Sequence, residues 1–76
     1  MNAKVFFYQG QALTVRQRDV WKMLAESHTT KAIAGVLGLS NKTVEWHRAK
    51  LSKKLGAHDL AALTRLAIRH KLTTAT

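Results

Sequence analysis

The chain has 76 residues and neither cysteine nor proline. That length allows one small domain with no room for an enclosed substrate pocket, and the missing thiols exclude disulfides, thiolate metal sites and cysteine nucleophiles. Thirteen Lys and Arg against four Asp and Glu give a formal charge of +9, which calls for a polyanionic partner, nucleic acid before an anionic membrane surface.

In chain order, the start MNAKVFFYQGQ has neither the long apolar core nor the small-residue cleavage site of a secretory signal. No run elsewhere reaches the length of a membrane span, so the chain reads as soluble and cytoplasmic. Residues 1–12 are expected to form an arm whose Val5 to Tyr8 run is either an extended segment laid on the domain or a contact surface for something else. Thr14 followed by Gln17 makes a capping box, which opens a first helix from about Val15 to Glu26. Val20, Trp21, Leu24 and Ala25 share its inner face.

SHTT breaks that pattern. Thr29 or Thr30 caps a short second helix, Thr30 to Leu37, with Ile33, Ala34 and Leu37 inward. Gly38 ends it in a left-handed conformation, and only Leu39 separates that glycine from Ser40, which caps the next helix. Two helices joined by so tight a turn make a helix-turn-helix pair. The third helix runs from about Asn41 to Leu55, with Val44, His47 or Arg48, Leu51 and Leu55 inside. Gly56 stops it, Asp59 caps a fourth helix, and that helix continues to about His70.

A helix with its side chains fits the major groove of B-DNA while the preceding helix braces it across the backbone. The third helix carries Lys42, Glu45, Trp46, Ala49, Lys50 and Lys53 outward. Lys42, Lys50, Lys53 and Lys54 suit phosphates, which supply affinity without sequence information. Glu45 is repelled by phosphates but suits a cytosine amino group, and Trp46 and Ala49 beside it suit a thymine methyl.

Blander roles fit some of the same residues. Glu45 can pair with Arg48 three residues on as a solvated surface pair, and Trp46 can lie half-buried against the second helix or the arm. His47 reads as a packed histidine bonded to backbone rather than a ligand. His28, His58 and His70 have no partners at ligand spacing, so no metal is expected. The Ser, Thr and Asp positions are explained as caps; no catalytic grouping is visible and an enzyme is not expected.

LTVRQRDV at 13–20, LAES at 24–27, KAIAGVLGLSNKTVEWHRAKLSKKLGA at 31–57 and LAIRHKL at 66–72 resemble the LuxR/FixJ-type, or GerE-like, helix-turn-helix family. The resemblance covers about Leu13 to Leu72, and its most specific portion is the IA..LGLS.KTV..H pattern closed by KLGA. It implies an all-α, four-helix LuxR/GerE-type domain with a short N-terminal arm, divided as 1–12 arm, 13–72 helix-turn-helix domain and 73–76 tail. It implies a bacterial transcription regulator that binds double-stranded DNA as a homodimer, without a cofactor, with RNA polymerase or another regulator as a further partner.

Carried over by position, Thr43 and nearby basic residues resemble phosphate contacts, as do Lys31 early in the second helix and Lys53 late in the third. Glu45, Trp46 and Ala49 stand where the family faces bases. The fourth helix resembles a dimerisation helix, with Leu60, Leu63, Ala67 and Ile68 as its candidate contacts. Departures concern stability more than the DNA-facing surface. LTVRQ replaces the usual LTPRE, Ser27 replaces a common glycine, Ala32 a common glutamate, and Lys71 stands where glycine often ends the last helix.

Many members attach this domain to a receiver or small-ligand domain, so the chain is either a stand-alone regulator or an output domain. A rival function is a protein-interaction module that sequesters another regulator through the arm and fourth helix. A third is nonspecific chromosome coating, which basic charge alone would serve.

Overall fold

The computed structural model describes residues 5–73. Residues 1–4 of the expected arm and 74–76 of the expected tail lie outside the described residues. A two-stranded antiparallel hairpin, β1 Val5–Tyr8 and β2 Gln11–Thr14, precedes four helices: α1 Val15–Ala25, α2 Thr30–Leu37, α3 Asn41–Leu55 and α4 Leu60–Arg69. The fold is the expected four-helix domain, and the described part of the arm is the hairpin rather than a single extended segment.

The hairpin turns on Gln9 and Gly10, both at positive φ (52° and 76°), as a two-residue loop matched to the right-handed twist of its strands requires. Its register pairs Phe6 with Leu13 and Tyr8 with Gln11. Leu13 is fully buried and Phe6 and Tyr8 are half-buried, while Val5 and Phe7 on the other face stay exposed. Arg18 fixes the inner face to α1: its guanidinium stacks 4.6 Å from the Phe6 ring centroid and its Nε donates to the Tyr8 hydroxyl at 3.1 Å. The Tyr8 ring meets Trp21 edge-on at 4.9 Å and His70 at 5.2 Å. One aromatic cluster therefore joins hairpin, α1 and the end of α4.

Each helix begins with a side-chain cap. Thr14 and Gln17 form the reciprocal capping box on α1, Thr29 rather than Thr30 caps α2, and Ser40 and Asp59 cap α3 and α4. Each supplies an acceptor to one of the amides that a helix start leaves without an intrahelical partner. Gly38 closes α2 at φ 68°, and Leu39 behind it packs on the core. These two residues set the tight turn into α3.

The core unites Leu13, Val20, Trp21 and Leu24 with Ile33 and Ala34 of α2, Val44, Leu51 and Leu55 of α3, and Leu63 and Ala67 of α4. Fully buried Trp21 is its centre and donates Nε1–H to the Leu63 carbonyl at 2.9 Å, so its one polar atom is satisfied. Burial of Leu63 and Ala67 corrects part of the expected dimerisation surface. A fully buried side chain has no area left for a second subunit, so these two hold α4 to its own domain. Leu60 is exposed and Ile68 half-buried.

Candidate nucleic-acid interface

Burial along α3 follows the helical repeat. Val44, Leu51 and Leu55 are buried; Lys42, Glu45, Trp46, Ala49, Lys50 and Lys53 are exposed. Fifteen residues of helix span roughly 22 Å, so the exposed side chains form one stripe along the whole element. Trp46 is 54% exposed, not half-buried against α2 or the hairpin. The Lys50 ammonium lies over its ring, 5.4 Å from the centroid, and His47 meets it edge-on at 5.1 Å. A cation on one side and a ring on another restrict the indole while leaving it in water.

The alternative surface pair between Glu45 and Arg48 is not formed among the described residues. Glu45 Oε2 instead accepts from the Thr30 hydroxyl of α2 at 3.3 Å. This contact escaped sequence reasoning because it joins positions fifteen residues apart, and Thr30 stood there only as a rival cap to Thr29. Lys31, one residue on, is exposed at the same end of α2.

Thr43 is half-buried. Its amide donates to Ser40 Oγ at 3.1 Å, and the Ser40 hydroxyl donates to Thr43 Oγ1 at 2.9 Å. With its oxygen already accepting, the Thr43 hydroxyl proton is left to donate outward.

Lys54 does not join the lysines of the exposed stripe. Its ammonium donates to the Ala12 carbonyl at 2.8 Å and to Gln17 Oε1 at 3.3 Å, so it ties the end of α3 to the hairpin and the α1 cap. Gln17, the one buried polar side chain of the described core, thus serves both the capping box and this link. The signal available in the sequence was the capping box; the lysine that completes it lies 37 residues away.

His47 is half-buried, as a packed histidine should be, and its Nδ1 is enclosed without a hydrogen-bond partner, so this atom makes no backbone bond. Burial, and secondarily the Arg16 charge, lower its pKa below the ordinary 6.5. Both causes favour the neutral ring.

Among the described residues no three His, Cys, Asp or Glu gather as a metal site would need. No described helix is long and apolar enough to cross a membrane.

A tight helix pair that presents a mostly basic third-helix stripe defines the helix-turn-helix class. The family model of bacterial regulatory proteins of the luxR family (GerE) matches residues 11–67, and the chain belongs to that family. A putative transcriptional regulator of Pseudomonas aeruginosa is 44% identical over 62 residues, which make up 82% of this chain and 30% of that protein. The transcriptional regulatory protein UhpA of Escherichia coli is 49% identical over 53 residues, 70% of this chain and 27% of that protein. Among solved structures, the Vibrio cholera VqmA–ligand–DNA complex matches 100% of this chain and 32% of the VqmA chain, at 32% identity and a TM-score of 0.75. The chain spans about a third of the length of these relatives.

Proposed function

We propose that this chain is a sequence-specific DNA-binding transcription regulator, or the output domain of one, that lays α3 in the major groove. The observation that carries the reading is the exposed α3 stripe, in which a carboxylate and an indole stand among lysines. Lys42, Lys50 and Lys53, with Lys31 and Thr43, face phosphates; Glu45, Trp46 and Ala49 face base edges. Lys54 is left out of the phosphate set because its ammonium is committed within the fold. The likeness to VqmA, solved in a complex with DNA, supports DNA as the partner. The protein works in the cytoplasm on the nucleoid, with RNA polymerase or a second regulator as its further partner.

Two copies on a twofold-symmetric site place their α3 helices about 34–36 Å apart. They meet through the outer side of α4, where Leu60 and Ile68 remain available. On that arrangement Ile68→Glu lowers affinity for the symmetric site while binding to a half-site and thermal stability stay close to wild type. Equal loss on half-site and full site would reject α4 as the contact.

The direct test of function is selection from random duplexes at two salt concentrations. Enrichment of a symmetric sequence that disappears in Trp46→Ala supports the reading, whereas salt-sensitive but unselective binding rejects it in favour of chromosome coating.

One observation favours the sequestering role. Val5 and Phe7, 45% and 71% exposed, give the outer hairpin face an apolar surface that DNA binding leaves unused. A salt-tolerant protein complex that survives replacement of Lys42 and Lys53 but is lost in Phe7→Ser would establish it.

A further inference from the structure

The chain has four acidic residues, and three are occupied within the fold. Asp19 lies 4.0 Å from Arg16, Glu26 pairs with Lys22 at 3.0 Å, and Asp59 caps α4 by accepting from Ala62 N–H at 2.7 Å. Glu45 is neither paired with a cation nor a cap among the described residues. In a chain of charge +9, a carboxylate on a lysine-rich helix gains by pairing with a lysine. Lys42 and Arg48, three residues to either side of it, make no ion pair with it among the described residues, and Lys50 lies over Trp46 instead. The partner Glu45 does have is neutral: the Thr30 hydroxyl, at 3.3 Å from Oε2. A hydroxyl restrains the carboxylate and leaves its full charge in place.

We infer that Thr30 is a positioning residue for base selection, acting through Glu45; this rests on the groove-reading function proposed above. The hydroxyl engages Oε2, so Oε1 is the acceptor presented to the groove. A fixed acceptor that carries charge admits a base edge offering an exocyclic amino group, cytosine N4 foremost. It opposes edges that present only acceptors, because two lone-pair groups then face each other without a proton between them. Thr30 and Glu45 together form a filter for one base pair. Its selectivity comes as much from the cost of a wrong base as from the bond to the right one.

The test compares wild type, Thr30→Val, Thr30→Ser, Glu45→Gln, Glu45→Ala and the Thr30→Val/Glu45→Ala double variant on the selected duplex and on duplexes changed one base pair at a time. Thr29, not Thr30, caps α2, so Thr30→Val keeps the helix start; Thr30→Ala serves as the second variant if valine disturbs folding. Thr30→Val is expected to reduce discrimination at a single base pair about three- to tenfold, comparable to the loss of a modest hydrogen bond. Discrimination at the other positions and affinity for unrelated duplexes stay unchanged, and Thr30→Ser restores the wild-type profile. Glu45→Gln moves preference at that same position toward adenine, whose edge matches an amide, whereas in Glu45→Ala, which removes the acceptor, Thr30→Val adds nothing. A Thr30→Val variant that weakens every duplex equally would show a phosphate contact and overturn the inference. An unchanged profile would overturn it as well while leaving groove reading intact. A wild-type chain that selects no sequence would remove both.

Discussion

Ser27 and Lys71 occupy the left-handed region at φ 70° and 59°, where a side chain costs about 1–2 kcal/mol relative to the right-handed region. They are two of the positions at which the family resemblance led us to expect glycine, so the departures noted in the sequence correspond to backbone strain at the ends of α1 and α4. Relief of that strain is partly offset by the greater freedom glycine has when unfolded. Ser27→Gly is therefore expected to stabilise the domain by roughly 0.5–1 kcal/mol, raising Tm by a few degrees; calorimetry that finds no gain would remove strain as the explanation.

His47 makes a pH-dependent contribution of definite sign. Its folded pKa lies below the ordinary 6.5, so as pH falls below that value the unfolded chain takes up the proton first. Stability declines until pH passes the folded-state value, then levels off. Above about pH 7 both states are neutral at this site. Relative to His47→Gln, wild type is expected to lose Tm as pH falls through the ordinary 6.5; a constant difference there would mean that burial does not perturb the ring.

At the scale of the elements, the helices were legible because each carries its own punctuation: Thr14 with Gln17, Ser40, Asp59, and the glycines at 38 and 56. The inner and outer sides of α3 followed from a strict helical repeat, broken only where His47 and Arg48 compete for the boundary. The hairpin was not legible. Gln9–Gly10 is a weaker turn signal than Asn-Gly or Asp-Gly, and β1 alternates only between half-buried and exposed apolar residues, a pattern that an unattached segment shares. The roles of Lys54, Thr30 and the buried side of α4 escaped for a common reason: each depends on which distant residue folds against it.

The Lys54 link gives the hairpin a mechanical role, since it connects β2 to the last turn of α3. Lys54→Met is expected to lower Tm with little change in the salt dependence of DNA binding. Lys53→Met, from the exposed stripe, should leave Tm near wild type and reduce the slope of log K against log salt by about one. The reverse pairing of effects would return Lys54 to the DNA surface.

At the scale of the molecule, the principal extents are 35 × 28 × 20 Å, and the surface is divided by chemistry. The α3 stripe holds lysines around Glu45 and Trp46, the outer side of α4 offers Leu60 and Ile68, and the hairpin turns Val5 and Phe7 outward. The +9 charge promotes association with any duplex, and selectivity is assigned to the few groups in the stripe that are not lysines. These surfaces lie on different elements, so each can be mapped separately. The most direct measurement is amide chemical-shift mapping of the chain during titration with a short duplex at moderate salt. The largest shifts are expected at Lys31, Lys42, Thr43, Glu45, Trp46, Ala49, Lys50 and Lys53, with Phe7 and Ala12 of the hairpin unmoved. Shifts concentrated on the hairpin, with α3 silent, would contradict it.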